Sequence, residues 1–413
     1  MATTIFFIII GIIIFDFILE RFLDYLNSTK WSEKLPTELE GIYDEEKYKK
    51  SQNYERVNHR FSYITSTFSL LLILVMLFFD GFAFVDKLAR NYAENEILVS
   101  LLFFGIIMFA SDLLNTPFTI YDTFVIEEKF GFNKTTVNTF ILDKLKGWLL
   151  AIIIGGGLMW VIIWFYQFTP EYFWLLAWGV VSMFMIFMTM FYSSILVPLF
   201  NKQTPLEEGE LKNAISEFSS KVGFKLKNIF VIDGSKRSTK ANAYFTGLGA
   251  KKRIVLYDTL IKDLTTEEIV AVLAHEVGHY KKKHTLMNIL LALVQTGITF
   301  YILGLLIGNA DLSKALGVEH VSFHIGLIAF GMLYSPISLI VGLFMNMLSR
   351  ANEYQADAYA GNFYKKEFLI SGLKKLSVNN LSNLTPHPVY VFFHYSHPTL
   401  LQRIVAMNKL KSK

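Results

Sequence analysis

Seven long apolar segments constrain the fold of this chain more than any other feature of its sequence. A helix that crosses a bilayer needs about 20 mostly apolar residues, because lipid offers no partner for unbonded backbone groups. Charged residues make up only 18% of the chain, below the roughly 25% that is usual in soluble domains. The sequence therefore predicts an α-helical integral membrane protein with seven transmembrane helices, at about 3–19, 62–84, 97–116, 147–167, 172–199, 286–308 and 321–348.

The distribution of Lys and Arg between these segments predicts the orientation in the membrane. The connecting segments and the C-terminal segment carry, in order, eight, two, three, none, fifteen, one and nine of these residues, without counting Lys146 at a helix edge. Cytoplasmic segments are enriched in Lys and Arg. The N terminus is therefore expected outside, and residues 200–285 and 349–413 in the cytoplasm. The net charge of +4 gives no indication of nucleic-acid binding.

The chain contains no cysteine. This excludes disulfides, thiolate metal ligands and a cysteine nucleophile, and it fits an active domain that faces a reducing compartment. The Lys- and Ile-rich composition favours a bacterial inner membrane, and the endoplasmic reticulum is the alternative if the source is eukaryotic.

The polar segments divide the chain into parts. Residues 1–199 hold five apolar helices and two polar loops, 20–61 and 117–146. Residues 286–348 hold the last two helices, and the polar residues 349–413 follow.

Residues 200–285 are the one stretch whose pattern predicts a soluble domain of α+β type. Helix signals occupy about 206–222, and Thr265 and Glu268 have the spacing of a capping box that opens another helix. Strand-like runs, separated by Gly and Lys turns, lie at Ile229–Ile232, Ala241–Phe245 and Arg253–Tyr257.

The segment His275-Glu276-Val277-Gly278-His279 lies on the helix that this capping box opens. Histidines at i and i+4 are about 40° apart around a helix and one turn along it, so both can bind one metal ion. The glutamate between them is placed to take a proton from the attacking water. Two histidine ligands and a glutamate base are the arrangement of zinc metalloproteases, so one Zn²⁺ per chain is the expected cofactor.

A catalytic zinc site also needs a third protein ligand and one open position. Glu353 and Asp357 follow the last apolar segment and are one helical turn apart. One carboxylate can bind the metal while the other holds a ligand histidine, and a solvated acidic pair is the alternative. The 73 residues between His279 and Glu353 are mostly two apolar helices, which return the chain to the same side of the membrane.

In this sequence a Glu-x-x-x-Asp pair follows HExxH after a helical hairpin. With this order of motifs the chain resembles the type I CAAX prenyl endopeptidases. These are integral-membrane zinc metalloproteases that cleave prenylated protein C termini. The resemblance implies seven helices around a water-filled chamber, with a cytoplasmic gluzincin-like α+β zinc-protease domain. Further segments match the family pattern across nearly the whole chain: 117–136, Gly234–Gly247 with Arg253–Leu260, and His394–Leu400 with Arg403 and Ile404.

The resemblance also implies the residues of a catalytic centre. Glu276 would be the base, and Asp357 and Arg403 would hold the ligands in place. The three zinc ligands would be His275, His279 and Glu353.

Roles that face the substrate are implied for two other segments. His397 would approach the zinc and stabilise the oxyanion, and a structural histidine before Pro398 is the alternative. Lys240 departs from the family, whose eukaryotic members carry histidine there, so its role near the substrate is open. A strand edge that binds an extended peptide through its backbone would come from Asn242, Ala243 and Tyr244.

Three functions are compatible with these features. The first is a membrane-embedded zinc endopeptidase that cleaves near the C terminus of a protein or peptide, with or without a prenyl group. The second is a quality-control protease for membrane proteins that needs no prenyl group. The third is a transporter or scaffold with structural zinc, against which Glu276 argues because a structural site needs no base. The expected form is a monomer in the lipid bilayer.

Overall fold

The structure is a computed structural model that describes residues 1–32, 34–224, 228–246 and 253–410. Within these residues, seven helical segments are long and apolar enough to cross a membrane, as predicted. Spans 3 and 4 each contain one π-helical turn, at Asp122–Glu127 and Ala151–Gly156. The bounds of spans 1 to 7 are Ala2–Ser28, Glu45–Phe78, Glu96–Phe130, Val137–Phe168, Pro170–Phe200, His284–Leu306 and Phe323–Phe363.

Spans 1, 2, 3, 4 and 7 extend well beyond one end of the apolar segments from which they were predicted, whereas spans 5 and 6 lie within two residues of the prediction. Span 2 also ends at Phe78, six residues before its predicted end, because a separate helix begins at Gly81.

Span 2 begins at Glu45, where the side chain of Asp44 accepts a hydrogen bond from the Lys47 backbone N–H at 2.7 Å. Such caps determine where a helix begins, whereas hydropathy marks only the part that crosses the membrane. The predicted loops 20–61 and 117–146 are therefore mostly helical.

Span 7 is one uninterrupted helix of 41 residues. At 1.5 Å per residue it is about 60 Å long, twice the roughly 30 Å of a hydrocarbon core. The predicted helix 321–348 is only its first part. Glu353 and Asp357, which were expected after the last span, lie on the second part of the same helix.

A four-stranded sheet lies between spans 5 and 6 in the chain. The pair β2–β4 is parallel, and β1–β2 and β3–β4 are antiparallel, in the order β1-β2-β4-β3. The strands are β1 Gln203–Pro205, β2 Ile229–Ile232, β3 Ala243–Thr246 and β4 Arg253–Tyr257. The short β1 was not predicted because three residues carry no alternating pattern, and β3 starts two residues later than predicted. β3 is an edge strand.

Eight shorter α-helices stand apart from the spans in the described residues. The helix with the HExxH motif, α4, opens with the predicted capping box, in which Thr265 and Glu268 each bond the other's backbone N–H. The eight are α1 Gly81–Arg90, α2 Glu210–Lys221, α3 Asp258–Asp263, α4 Thr266–Lys281, α5 Ala310–Ala315, α6 Lys366–Asn379, α7 Pro388–His394 and α8 Leu400–Asn408.

Helix α4 packs directly against the second part of span 7. A Cβ atom at Gly278 would lie 3.1 Å from the backbone of Ala356, so a side chain at this position would force the two helices apart. The surrounding apolar core includes Ile215 of α2, Leu256 of β4 and Leu369 of α6. This close approach brings the histidines of α4 beside the carboxylates of span 7.

The main apolar cluster among the seven spans lies at the end of the spans opposite the sheet. Spans 1, 2, 3 and 7 pack there against α1 and against α5, which joins spans 6 and 7. In the apolar windows of the spans, only 6–22% of the residues are buried inside the protein. Side chains that face lipid also count as exposed, so this low share is compatible with the chamber, which stays a prediction.

Candidate active site

Three side chains converge where α4 meets span 7. His275 and His279 of α4 face each other with their Nε2 atoms 3.1 Å apart. The carboxylate of Glu353 lies between them, with Oε1 at 3.1 Å from His279 Nε2 and Oε2 at 3.3 Å from His275 Nε2. This is the one group of histidine and acidic residues in the described chain whose atoms are placed to hold a metal ion.

The spacing of these donor atoms fits zinc. Tetrahedral zinc has bonds of about 2.0–2.1 Å to nitrogen and oxygen, which separates its donors by about 3.3 Å. Among the described residues, the buried Oε2 atom of Glu353 makes no well-formed hydrogen bond, although His275 Nε2 lies 3.3 Å and Arg403 Nη1 lies 3.6 Å away, and a buried polar atom requires a partner. A cation between the three side chains would supply it.

His275 is oriented by a buried ion pair. Its Nδ1 lies 2.9 Å from Asp357 Oδ1, and Arg403 donates two hydrogen bonds to the same carboxylate, at 2.6 and 2.9 Å. Burial by itself lowers the pKa of His275, but the neighbouring carboxylates of Asp357 and Glu353 raise it to about 9. The same carboxylates would stabilise the charge of a metal cation bound at the neutral ring. With Nδ1–H donating to Asp357, the lone pair of Nε2 points at the other candidate ligands.

His279 is held by a residue that the sequence analysis missed. Its Nδ1 lies 3.0 Å from Nδ1 of the buried His284, and His284 Nε2 lies 3.4 Å from Gln355 Oε1. If Nε2 of His279 faces the metal, its Nδ1–H donates to His284, whose Nε2–H then donates to Gln355. The sequence contained a possible signal for this contact, because His284 follows the motif by five residues. Helical spacing could not place it, since Lys283 interrupts the helix with a φ of 60°.

Glu276, the expected base, lies between the two histidines on α4 and is partly exposed. Among the described residues its carboxylate makes no hydrogen bond or ion pair, so both oxygens can accept protons from water. Its role as the base stays a prediction from the motif.

His397 approaches the same centre from the loop between α7 and α8. Its Nε2 lies 3.3 Å from Glu353 Oε1, and Ser396 Oγ lies 2.9 Å from its Nδ1. The side chain is 61% exposed, which leaves it accessible to a substrate. Since α8 also carries Arg403, one segment brings both residues to the centre.

The proposed peptide-binding residues belong to edge strand β3 and to the residue before it. The Tyr257 N–H donates to the Asn242 carbonyl, so the backbone groups of Ala243 and Phe245 point away from β4, to the outer edge. The Ala243 N–H is bonded to Asn242 Oδ1 at 2.8 Å. Tyr244 OH lies 3.3 Å from Ser193 Oγ of span 5.

Lys240 lies beside the start of β3 and is bonded to the membrane half. Its ammonium donates to Glu127 at 2.8 Å and to Tyr54 OH at 2.9 Å, and it lies 4.4 Å from the centre of the Phe132 ring. These contacts connect the strand to spans 2 and 3 and to the loop after span 3.

Comparison with known families covers both halves of the chain. Residues 24–202 match the family described as "CAAX prenyl protease N-terminal, five membrane helices", and residues 205–411 match "Peptidase family M48". The first match ends just before β1 and the second begins at the last residue of β1, Pro205.

Individual relatives match over almost the whole chain. The "CAAX prenyl protease 1" of Saccharomyces cerevisiae is 37% identical, with 98% of this chain and 96% of the relative covered. The Homo sapiens "CAAX prenyl protease 1 homolog" is 32% identical, with coverages of 92% and 90%. The crystal structure of S. mikatae Ste24p superposes with a TM-score of 0.92 at 37% identity, with 98% of each chain covered. These relatives are eukaryotic and do not support the bacterial source favoured by composition.

The fold, the buried cluster and the family matches agree with each other. The chain is a multi-pass membrane metalloendopeptidase that belongs to peptidase family M48, in the group of CAAX prenyl proteases of type 1.

Proposed function

We propose that this enzyme hydrolyses a peptide bond near the C terminus of CAAX proteins and uses one zinc ion per chain. The observation that carries the proposal is the convergence of His275, His279 and Glu353, with Glu276 on the same helix as the two histidines. A single chain supplies all the candidate ligands, which supports a monomer.

The residues have separate roles in this reaction. The zinc ion that His275, His279 and Glu353 would hold would supply Lewis acidity for the scissile carbonyl. Glu276 takes a proton from the attacking water and delivers it to the leaving amine. His397 donates a hydrogen bond to the oxyanion. Asp357 and Arg403 keep His275 in the tautomer that presents Nε2.

Edge strand β3 holds the substrate in an extended conformation. The outward backbone groups of Ala243 and Phe245 can pair with a peptide, and this pairing tolerates many side chains because backbone atoms make the bonds. In this arrangement Asn242 Oδ1 is displaced from the Ala243 N–H when the peptide binds.

The names of the relatives supply the substrate class. We propose a C-terminal Cys-a-a-X sequence with an isoprenyl group on the cysteine, from which the last three residues are released. A quality-control protease that needs no lipid is the second candidate, because binding through a strand edge does not by itself require one.

The lipid requirement separates these two functions. We expect kcat/KM for a farnesylated CAAX peptide to exceed that for the same peptide without lipid by well over threefold, because the lipid adds a large apolar contact. Cleavage by the purified enzyme in detergent or nanodiscs measures both values. A ratio within about threefold, which is below roughly 1 kcal/mol, would favour the quality-control protease.

We also propose that the catalytic half faces the cytoplasm. The chain has no cysteine, so single cysteines report the side of the membrane without interference. We expect a Lys314→Cys variant on α5 to react with an impermeant maleimide from outside. A Lys221→Cys variant at the end of α2 should react only after the membrane is opened. The reverse pattern would contradict the orientation predicted from Lys and Arg.

A further inference from the structure

A cavity of about 340 Å³ lies between edge strand β3 and spans 5 and 6. Phe245 and Thr246 of β3 form one wall, and Thr285 at the start of span 6 forms another. The third wall belongs to span 5 and consists of Met188, Thr189 and Tyr192. The hydroxyl of Thr246 donates to the Thr189 carbonyl at 3.5 Å, which joins strand and span. None of the described residues that line the cavity is charged.

The cavity is next to the candidate metal centre. Thr285 follows His284, whose ring lies against His279. On the opposite wall, the Phe245 ring lies 5.9 Å from the ring of Tyr280, the residue after His279. The cavity therefore adjoins the strand that would hold the peptide, and its walls lie next to residues that neighbour the histidines of the candidate metal centre.

The size of the cavity indicates what it can hold. A cavity of about 150 Å³ holds benzene, with six carbon atoms, and in proportion 340 Å³ holds about 14 carbon atoms. A phenylalanine side chain would leave about half of that volume empty, and a leucine side chain more. A farnesyl group, with about 15 carbon atoms, would fill it, and its binding would strengthen with each methylene group removed from water.

We propose that this cavity binds the isoprenyl chain of the substrate cysteine while the peptide backbone pairs with β3. The inference rests on the proposed CAAX-protease function and adds the location of lipid recognition. Two of the three walls are membrane helices, so a chain that lies in the cavity remains in apolar surroundings while the carbonyl of its cysteine reaches the metal centre. The β3 edge would then select an extended backbone, and the cavity would select the lipid.

Two methionines of span 5 allow a matched test. Met188 lines the cavity, whereas Met183 lies five residues earlier on the same helix and is 73% exposed. Five residues correspond to about 140° around a helix, so the two side chains point in different directions. Met188→Trp fills the cavity, and Met183→Trp adds the same ring on the outer surface.

The readout is the ratio of kcat/KM for a farnesylated peptide to kcat/KM for the same peptide without lipid. We expect Met188→Trp to lower this ratio at least tenfold, through a higher KM for the lipidated peptide. A geranyl peptide, one isoprene unit shorter, should lose less. Met183→Trp should leave the ratio within about twofold of the wild-type value. An unchanged ratio in Met188→Trp would overturn the proposal.

Two further results separate this inference from the proposed function. If the wild-type enzyme cleaves both peptides equally well, the protease function stands and the lipid site is refuted. If the wild-type enzyme cleaves neither peptide, photolabelling tests the lipid site directly. A farnesyl peptide with a photoreactive terminal group should label Met188 or Tyr192 in the Glu276→Gln variant, and less in Met188→Trp. Labelling confined to other segments would refute the site even if CAAX cleavage is observed.

Discussion

A Glu276→Gln variant should lose nearly all peptidase activity while it keeps its metal. The amide has nearly the same shape as the carboxylate but cannot accept a proton from water. General base catalysis contributes typically 100- to 10,000-fold, so we expect kcat to fall by at least about 1,000-fold. Turnover of a CAAX peptide and zinc content by elemental analysis, measured on the same preparation, check both parts.

Glu267 provides the matched control for this variant. It lies in the first turn of the same helix, α4, and its side chain is exposed. Glu267→Gln should keep activity within about twofold. If Glu276→Gln retained substantial turnover, the role of Glu276 as base would be wrong, whatever the metal content.

Replacement of Glu353 by alanine should have the second large effect, loss of the metal itself. The remaining His275 and His279 would be two neutral ligands without the carboxylate that lies 3.1–3.3 Å from both. We expect zinc content to fall from about one per chain to less than about a tenth, with loss of activity. The melting temperature should also fall, because a metal that binds only the folded state stabilises it.

Glu367, an exposed residue of α6, is the control for this second variant. Glu367→Ala should keep both zinc and activity. A Glu353→Ala protein that binds a full equivalent of zinc would show that the third ligand is another residue, with His397 as the nearest candidate.

The comparison of sequence and structure shows which inferences depend on local pattern. The number of membrane helices could be predicted because the length of an apolar run is a local property. The spacing of His275 and His279 on one helix face is also local. The ends of the helices could not be predicted in this way, because caps such as Asp44 depend on single side chains that hydropathy does not detect.

Contacts between segments far apart in the chain could not be predicted from the sequence. His284 was missed because its contact with His279 requires the turn at Lys283, and Gln355 because it comes from a different helix. The open edge of β3 depends on the order β1-β2-β4-β3, in which the third strand along the chain is the last in the sheet. No local pattern encodes this order.

The sequence by itself determined the seven membrane helices, the helical pair of histidines and the carboxylate pair at Glu353 and Asp357, since each depends on residues a few positions apart. Only the tertiary structure decided that these groups meet. Their meeting depends on the close approach of α4 and span 7 at Gly278. It also depends on the continuity of span 7, which carries Glu353 on the same rigid helix as the last apolar segment. Both are properties of packing between segments far apart in the chain, and no local pattern of residues specifies them.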